Sequence, residues 1–126
     1  MYNELKKQPL AGQVETITRK LVSIPSVNGT EGEANVADFI KQTLHTFPYF
    51  KQHPLNVWEQ PIPGDPFGRK NIFALIHGKS TSRKTIIFHS HMDTVGIEDF
   101  GSLKKDALNP DALQAFFENY AFVQEA

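Results

Sequence analysis

Two nearly continuous apolar runs constrain the fold of this chain more than any other feature: residues 71–77 (NIFALIH) and residues 84–91 (KTIIFHSH). Both are rich in β-branched, aromatic and aliphatic side chains, and a polar link, GKSTSR, lies between them. This composition favours β-strands. Because strands without alternating polar residues need cover on both faces, the two runs predict a sheet packed between helices.

Two helices are predicted before these strands. The first ends near Ser23, because Pro25 disfavours helical geometry in the residue before it. Its apolar face comprises Leu10, Val14, Ile17 and Leu21. The second begins at Thr30, which forms a capping-box pattern with Glu33, and Pro48 closes it. Its buried stripe comprises Ala37, Ile40, Leu44 and Phe47.

The remaining segments add an extended stretch, a turn and a last helix. Residues 57–59 (VWE) are predicted to be extended, and residues 61–68 (PIPGDPFG) to form a surface turn. Asn109 caps a helix that begins at Pro110. Its apolar side comprises Leu113, Phe116, Phe117 and Tyr120. The order of elements predicts an α/β fold with a mixed sheet and helices on both of its faces, in a single domain over residues 1–126.

Charge and cysteine content exclude several classes of function. Thirteen basic and fourteen acidic side chains give a net charge of -1, which offers no electrostatic support for binding nucleic acid or a membrane. The chain contains no cysteine, so any metal must be held by His, Asp or Glu. Its first residues lack the apolar core of a signal peptide, and a cytoplasmic location is the simplest expectation.

The stretch FHSHMDTVG, residues 88–96, contains the candidate functional residues. In an extended strand, His89, His91 and Asp93 point to the same face, beyond the strand's carboxyl end, where α/β sheets bind ligands. A metal-ligating histidine commonly donates its other ring N–H to a carboxylate, which is the chemistry that His91 and Asp93 offer. On spacing alone, histidines with a structural role at the end of a strand remain an alternative.

Three stretches resemble, in the same order, the amino-terminal part of the zinc-dependent metallopeptidases and deacylases. They are LVSIPSVNGTEGE, NIFALIHG and FHSHMDTV. That family includes acetylornithine deacetylase, succinyl-diaminopimelate desuccinylase, carboxypeptidase G and the aminoacylases, and the GIEDFG continuation looks most like its arginine-utilisation branch.

The resemblance implies a hydrolase that uses two zinc ions to cleave amide bonds in N-acyl amino acids or small peptides. It makes His91 a metal ligand and Asp93 the catalytic-site carboxylate that orients it. Ser90 stands where the family commonly has glycine. His89 replaces a smaller residue, and for it a structural role is favoured over contact with metal or substrate.

The family's bridging Asp, its Glu pair and its later His ligand are not found after Val95. The carboxylates that follow are Glu98, Asp99, Asp106, Asp111, Glu118 and Glu125. We therefore expect an incomplete fragment of a catalytic domain, inactive alone. The alternative is a non-catalytic α/β binding or regulatory module. Strand residues left uncovered in such a fragment predict self-association: Ile72, Phe73, Ile86 and Phe88.

Overall fold

A computed structural model describes residues 1–120, and Glu125 lies outside them. The helices are α1 (Tyr2–Leu5), α2 (Leu10–Val22), α3 (Gly32–His45), α4 (Pro48–Gln52) and α5 (Pro110–Glu118). The strands are β1 (Val57–Pro61) and β2 (Lys70–Ala74), and 3₁₀ helices span Pro54–Asn56 and Glu98–Asp106. No helix within residues 1–120 is long and apolar enough to cross a membrane.

The predicted end of α2 and the predicted start of α5 are confirmed. Ser23 closes α2, and its backbone N–H donates to the carbonyl of Arg19. At the start of α5, the Asn109 side chain accepts a hydrogen bond from the Ala112 N–H at 3.1 Å, which satisfies one of the free N–H groups of the first turn. The apolar face of α2 is less covered than predicted, because Leu10 and Val14 are exposed.

Helix α3 begins at Gly32, later than the predicted start at Thr30. The Thr30 hydroxyl accepts from the Gly32 N–H at 3.2 Å. The Glu33 carboxylate reaches past Thr30 and accepts from the Gly29 N–H at 2.7 Å. The capping residues therefore form a turn before the helix. Gly32 allows the close approach of α3 to this turn, since a Cβ there would lie 1.7 Å from the Pro25 carbonyl oxygen.

Strands β1 and β2 form an antiparallel hairpin, and the α/β class is confirmed. Trp58 pairs with Phe73 across the hairpin, and their rings stack with centroids 5.2 Å apart. Helix α3 packs against both strands. Its Lys41 lies 2.8 Å from Glu59 of β1. The buried apolar residues are Leu5, Val36, Ala37, Phe50, Val57 and Ala107.

The predicted strand over residues 84–91 is wrong, because no strand forms there. Ile86 is 79% exposed and Phe88 is 93% exposed. A strand with apolar residues on both sides is stabilised by a pairing neighbour and a covering layer on each face. Within residues 1–120 the sheet consists of β1 and β2 alone. Residues 84–91 therefore have no neighbouring strand to pair with in this part of the chain. The expected poor burial is confirmed for Ile86, Phe88 and Phe73, while Ile72 is half-buried; self-association stays a prediction.

Strand β2 also ends earlier than predicted, at Ala74 instead of His77. Its partner β1 starts at Val57, because the preceding Pro54–Asn56 segment forms a 3₁₀ turn. The Leu75 N–H still donates to the Asn56 carbonyl at 2.8 Å. The His77 N–H donates to the Tyr49 hydroxyl at 2.9 Å. Backbone groups beyond β2 are thus bonded to a turn and a side chain in place of a strand.

Candidate functional site

The segment over residues 89–94 is hydrogen-bonded at Thr94 to the connection between α2 and α3. A parallel bridge joins Val27 and Thr94. The Thr94 N–H donates to the Ser26 carbonyl at 2.9 Å, and the Asn28 N–H donates to the Thr94 carbonyl at 3.0 Å. Ser26 is buried. The end of the candidate segment is therefore held at Thr94 by the loop that precedes α3, and not by a strand over residues 84–91.

The structure places His91 and Asp93 in contact. The His91 Nδ1 lies 3.2 Å from Asp93 Oδ1 and 3.1 Å from the Asp93 carbonyl oxygen. Both partners are acceptors, so Nδ1 is the nitrogen that carries the hydrogen. The lone pair of the neutral ring then lies on Nε2. The His91 side chain is 82% exposed, which leaves room at Nε2 for a ligand.

Asn28 completes this arrangement, a role that the sequence around Asn28 does not indicate. Its side-chain Nδ2 donates to Asp93 Oδ2 at 3.1 Å, so the carboxylate uses one oxygen for Asn28 and the other for His91. The Asn28 amide is the main cause that lowers the pKa of Asp93, and the Asp93 backbone N–H and the His91 ring act in the same direction. All three groups stabilise the charged carboxylate. Asp93 therefore remains ionised at neutral pH.

His89 does not join the pair through a hydrogen bond. It is exposed and lies outside any strand, so the structural role at a strand end that was favoured for it is not seen. The ring makes no hydrogen bond to another group within residues 1–120. His89 does line a cavity of about 650 Å³ together with His91 and Asp93. Its wall is otherwise largely apolar, with Leu21, Val36, Ile40, Ile72 and Phe73 supplied by α2, α3 and β2.

A smaller cavity of about 210 Å³ is lined by the same segment together with Glu33, Arg69 and Lys70. Arg69 is paired with Asp65 and, at 3.4 Å, with Glu33. Lys70 is paired with Asp38 at 2.6 Å. Both cations are thus neutralised by carboxylates of the same chain, and the cavity offers no unpaired cation for an anionic ligand.

The described residues around His91 provide one metal ligand and not the full set that a metal site needs. Within residues 1–120, no group of three or more His, Asp or Glu side chains is placed to hold an ion. A catalytic zinc site uses about three protein ligands, and a structural one about four. Of the later carboxylates, Glu98 is paired with Lys104, Asp111 with Arg19, and Glu118 accepts from Gln114. The candidate metal ligand in residues 1–120 is the His91 Nε2 lone pair, with the ring oriented by the contact of Nδ1 with Asp93.

Most of this chain is similar to part of each of three longer proteins, one of which is named a probable carboxypeptidase. A probable carboxypeptidase of Aspergillus clavatus is 36% identical over 96 residues, which cover 75% of this chain and 18% of that protein. Protein RocB of Bacillus subtilis is 51% identical over 124 residues, or 98% of this chain and 22% of RocB. The uncharacterized protein YqjN of the same organism is 35% identical over 106 residues, or 83% of this chain and 19% of YqjN.

Among these three relatives, the Aspergillus protein is the one whose name gives a reaction class, that of a carboxypeptidase. The chain spans about a fifth of the length of each of these relatives. No protein-family model matches the chain, and no solved structure matches it.

Proposed function

We propose that this chain forms part of the catalytic domain of a metal-dependent hydrolase that cleaves amide bonds in N-acyl amino acids or small peptides. The observation that carries the proposal is the His91–Asp93 contact, with Nδ1 engaged at 3.2 Å and the ring exposed. The similarity to a probable carboxypeptidase supports the reaction class. A cytoplasmic location and the arginine-utilisation branch belong to the same proposal.

In this proposal each residue has a distinct task. A zinc ion, when bound, polarises the substrate carbonyl and lowers the pKa of bound water. His91 contributes its Nε2 as one ligand. Asp93 accepts the Nδ1 hydrogen, which fixes the tautomer, holds the ring plane and raises the basicity of Nε2. The general base and the remaining ligands are contributed by residues outside 1–120, since the described residues contain no complete ligand group.

Zinc titration of the chain by calorimetry tests the assignment. A single oriented ligand predicts weak binding, no tighter than about micromolar. His91→Ala removes that binding, whereas the control His89→Ala, two residues away on the same segment, leaves it unchanged. Binding that survives His91→Ala, or that is lost equally in both variants, contradicts the assignment.

An activity assay tests whether the chain lacks the metal ligands and the general base that hydrolysis needs. We expect the chain with excess zinc to hydrolyse N-acyl amino acids no faster than zinc alone, because one ligand without a general base cannot assemble the reaction. Hydrolysis that depends on His91 in the chain alone would show that the described residues suffice.

A non-catalytic binding module is the second candidate. The observation in its favour is that residues 1–120 offer a largely apolar cavity of about 650 Å³ but no three-ligand group. The coding sequence past the codon for Ala126 separates the two candidates. An in-frame Glu-Glu pair and a later His favour the hydrolase, whereas a stop codon at that point favours the module.

A further inference from the structure

We propose that Asn28 is a positioning residue for the His91–Asp93 pair. The proposal rests on the function proposed above and adds a residue from a different part of the chain. Asn28 does not itself contact a reacting group. It acts by holding the Asp93 carboxylate, which in turn holds the His91 ring, so that the three side chains form the relay Asn28–Asp93–His91.

The geometry gives the carboxylate two partners on its two oxygens. Asn28 Nδ2 donates to Oδ2 at 3.1 Å, and His91 Nδ1 lies 3.2 Å from Oδ1. The terminal torsion of an aspartate is broad, so one hydrogen bond leaves the carboxylate plane loosely defined. A second bond, to the opposite oxygen, restricts the rotation and fixes the direction in which Oδ1 meets the imidazole.

Asn28 is itself well placed to act as a fixed support. Its backbone N–H donates to the Thr94 carbonyl at 3.0 Å, and the Thr94 N–H donates to the Ser26 carbonyl at 2.9 Å. These two bonds set the spacing between the loop and the segment that contains Asp93. On the other side, the Gly29 N–H donates to the Glu33 carboxylate at 2.7 Å, which ties the loop to the first turn of α3.

The Asp93 carboxylate also needs a hydrogen-bond donor at position 28 if it is to be held from both sides. Asp93 is acceptor-only when ionised, and its Oδ2 accepts from the Asn28 amide while its Oδ1 faces the His91 ring. An amide can donate to the carboxylate, while an apolar side chain of similar size cannot. Asn28→Leu therefore removes the donor and keeps the approximate shape, and the backbone bonds of residue 28 are retained.

The experiment compares Asn28→Leu and Asn28→Ala with Asn35→Leu and Asn35→Ala. Asn35 is an exposed asparagine on α3, and its side chain makes no hydrogen bond within residues 1–120. The first readout is the ¹⁵N NMR shift of the two His91 ring nitrogens in the metal-free chain, which reports the tautomer. The second is the zinc dissociation constant by calorimetry.

We expect both Asn28 variants to lower the fraction of the tautomer with hydrogen on Nδ1. We also expect them to weaken zinc binding about 3-fold to 10-fold, which is less than the roughly 10-fold to 100-fold typical of a direct partner of a ligating histidine, because Asn28 acts through Asp93. The Asn35 variants leave both quantities unchanged. Unchanged His91 shifts and unchanged affinity in both Asn28 variants overturn the positioning role. Unfolding of both, seen in the backbone amide spectrum, overturns it too, because Asn28 is then a structural residue.

The two readouts separate this proposal from the proposed function. If His91→Ala leaves zinc binding intact while the Asn28 variants still shift the His91 tautomer, the metal assignment fails and the positioning role stands. If zinc binds through His91 but neither readout responds to Asn28, the metal assignment stands and the positioning role fails.

Discussion

Two regions of this chain differ in the interactions that hold them in place. One is α3 with the β1–β2 hairpin, and the other is the segment over residues 75–96. In the first, helix and strands pack together, Val36, Ala37 and Val57 are buried, and Lys41 pairs with Glu59 across the contact. In the second, no strand forms and most of the apolar residues are exposed. The candidate site lies in the second region, yet its geometry is set by backbone bonds to the loop over residues 26–28.

The comparison shows that the His91–Asp93 arrangement does not need the strand that was expected to present it. A bridge at Thr94 and the Asn28 side chain connect this segment to the loop before α3. Changes in the packed region should therefore alter stability strongly, while changes in the exposed segment should alter binding or association with little effect on stability.

The largest expected effect comes from Gly32→Ala. The added Cβ would lie 1.7 Å from the Pro25 carbonyl oxygen, so the backbone of the loop or of α3 has to move. We expect a loss of about 3 kcal/mol in the free energy of unfolding, measured by urea denaturation. The same shift displaces the loop that contains Asn28, and zinc binding weakens as well.

Gly78→Ala is the matched control in the exposed segment. Nothing lies within 4 Å of the Cβ position there, and the free energy of unfolding should change by no more than about 0.5 kcal/mol. Equal losses at both glycines would show that the exposed segment is packed as tightly as α3.

A smaller effect is expected from Asp65, which lies in the hairpin loop. Its carboxylate accepts from the Arg69 N–H at 2.8 Å and from the Phe67 N–H at 3.1 Å. The Arg69 side chain, followed by these backbone groups, lowers the pKa of Asp65. Because the folded-state pKa lies below the unfolded value, the contribution to stability is present at neutral pH and decreases as the pH falls below about 4.

Thermal unfolding from pH 7 to pH 2 measures this dependence. Asp65→Asn lowers the midpoint at pH 7 and flattens the acid-side decline relative to the wild type. The control Asp99→Asn changes an exposed carboxylate outside the hairpin loop. If the acid-side slope is the same in wild type and Asp65→Asn, the carboxylate has no part in ordering the loop.

The smallest effect on stability is expected for Phe88→Ser, in the exposed segment. Phe88 is 93% exposed, so its replacement should change the free energy of unfolding by at most about 0.5 kcal/mol. Its effect should be seen in sedimentation instead. We expect the wild type to associate as its concentration rises, and Phe88→Ser to associate less. A wild type that stays monomeric at high concentration contradicts this expectation.

Local signals allowed part of the fold to be predicted. Pro25 marked the end of α2, and Asn109 with Pro110 marked the start of α5. The glycines and prolines of residues 61–68 indicated a surface turn, and the structure places the connection between β1 and β2 there. These features depend on neighbouring residues, so the sequence alone contains the information.

The remaining features depend on distant partners. Residues 84–91 have the composition of a strand, but a strand forms only where a neighbour and two covering layers exist, and composition does not show whether they do. Asn28 and Asp93 are separated by 65 positions, and the sequence around Asn28 has the appearance of an ordinary turn. His91 and Asp93 were predictable as a pair because they are two residues apart.

The most direct test of the central claim follows both ring nitrogens of His91 by ¹⁵N NMR while zinc is added. The account predicts that the Nε2 resonance shifts on zinc binding, while Nδ1 stays protonated and hydrogen-bonded to Asp93. Asp93→Ala should weaken the response about 10-fold or more. Zinc binding at Nδ1, or a saturating titration in which His91 does not respond, would contradict the claim that this pair is one corner of a metal site.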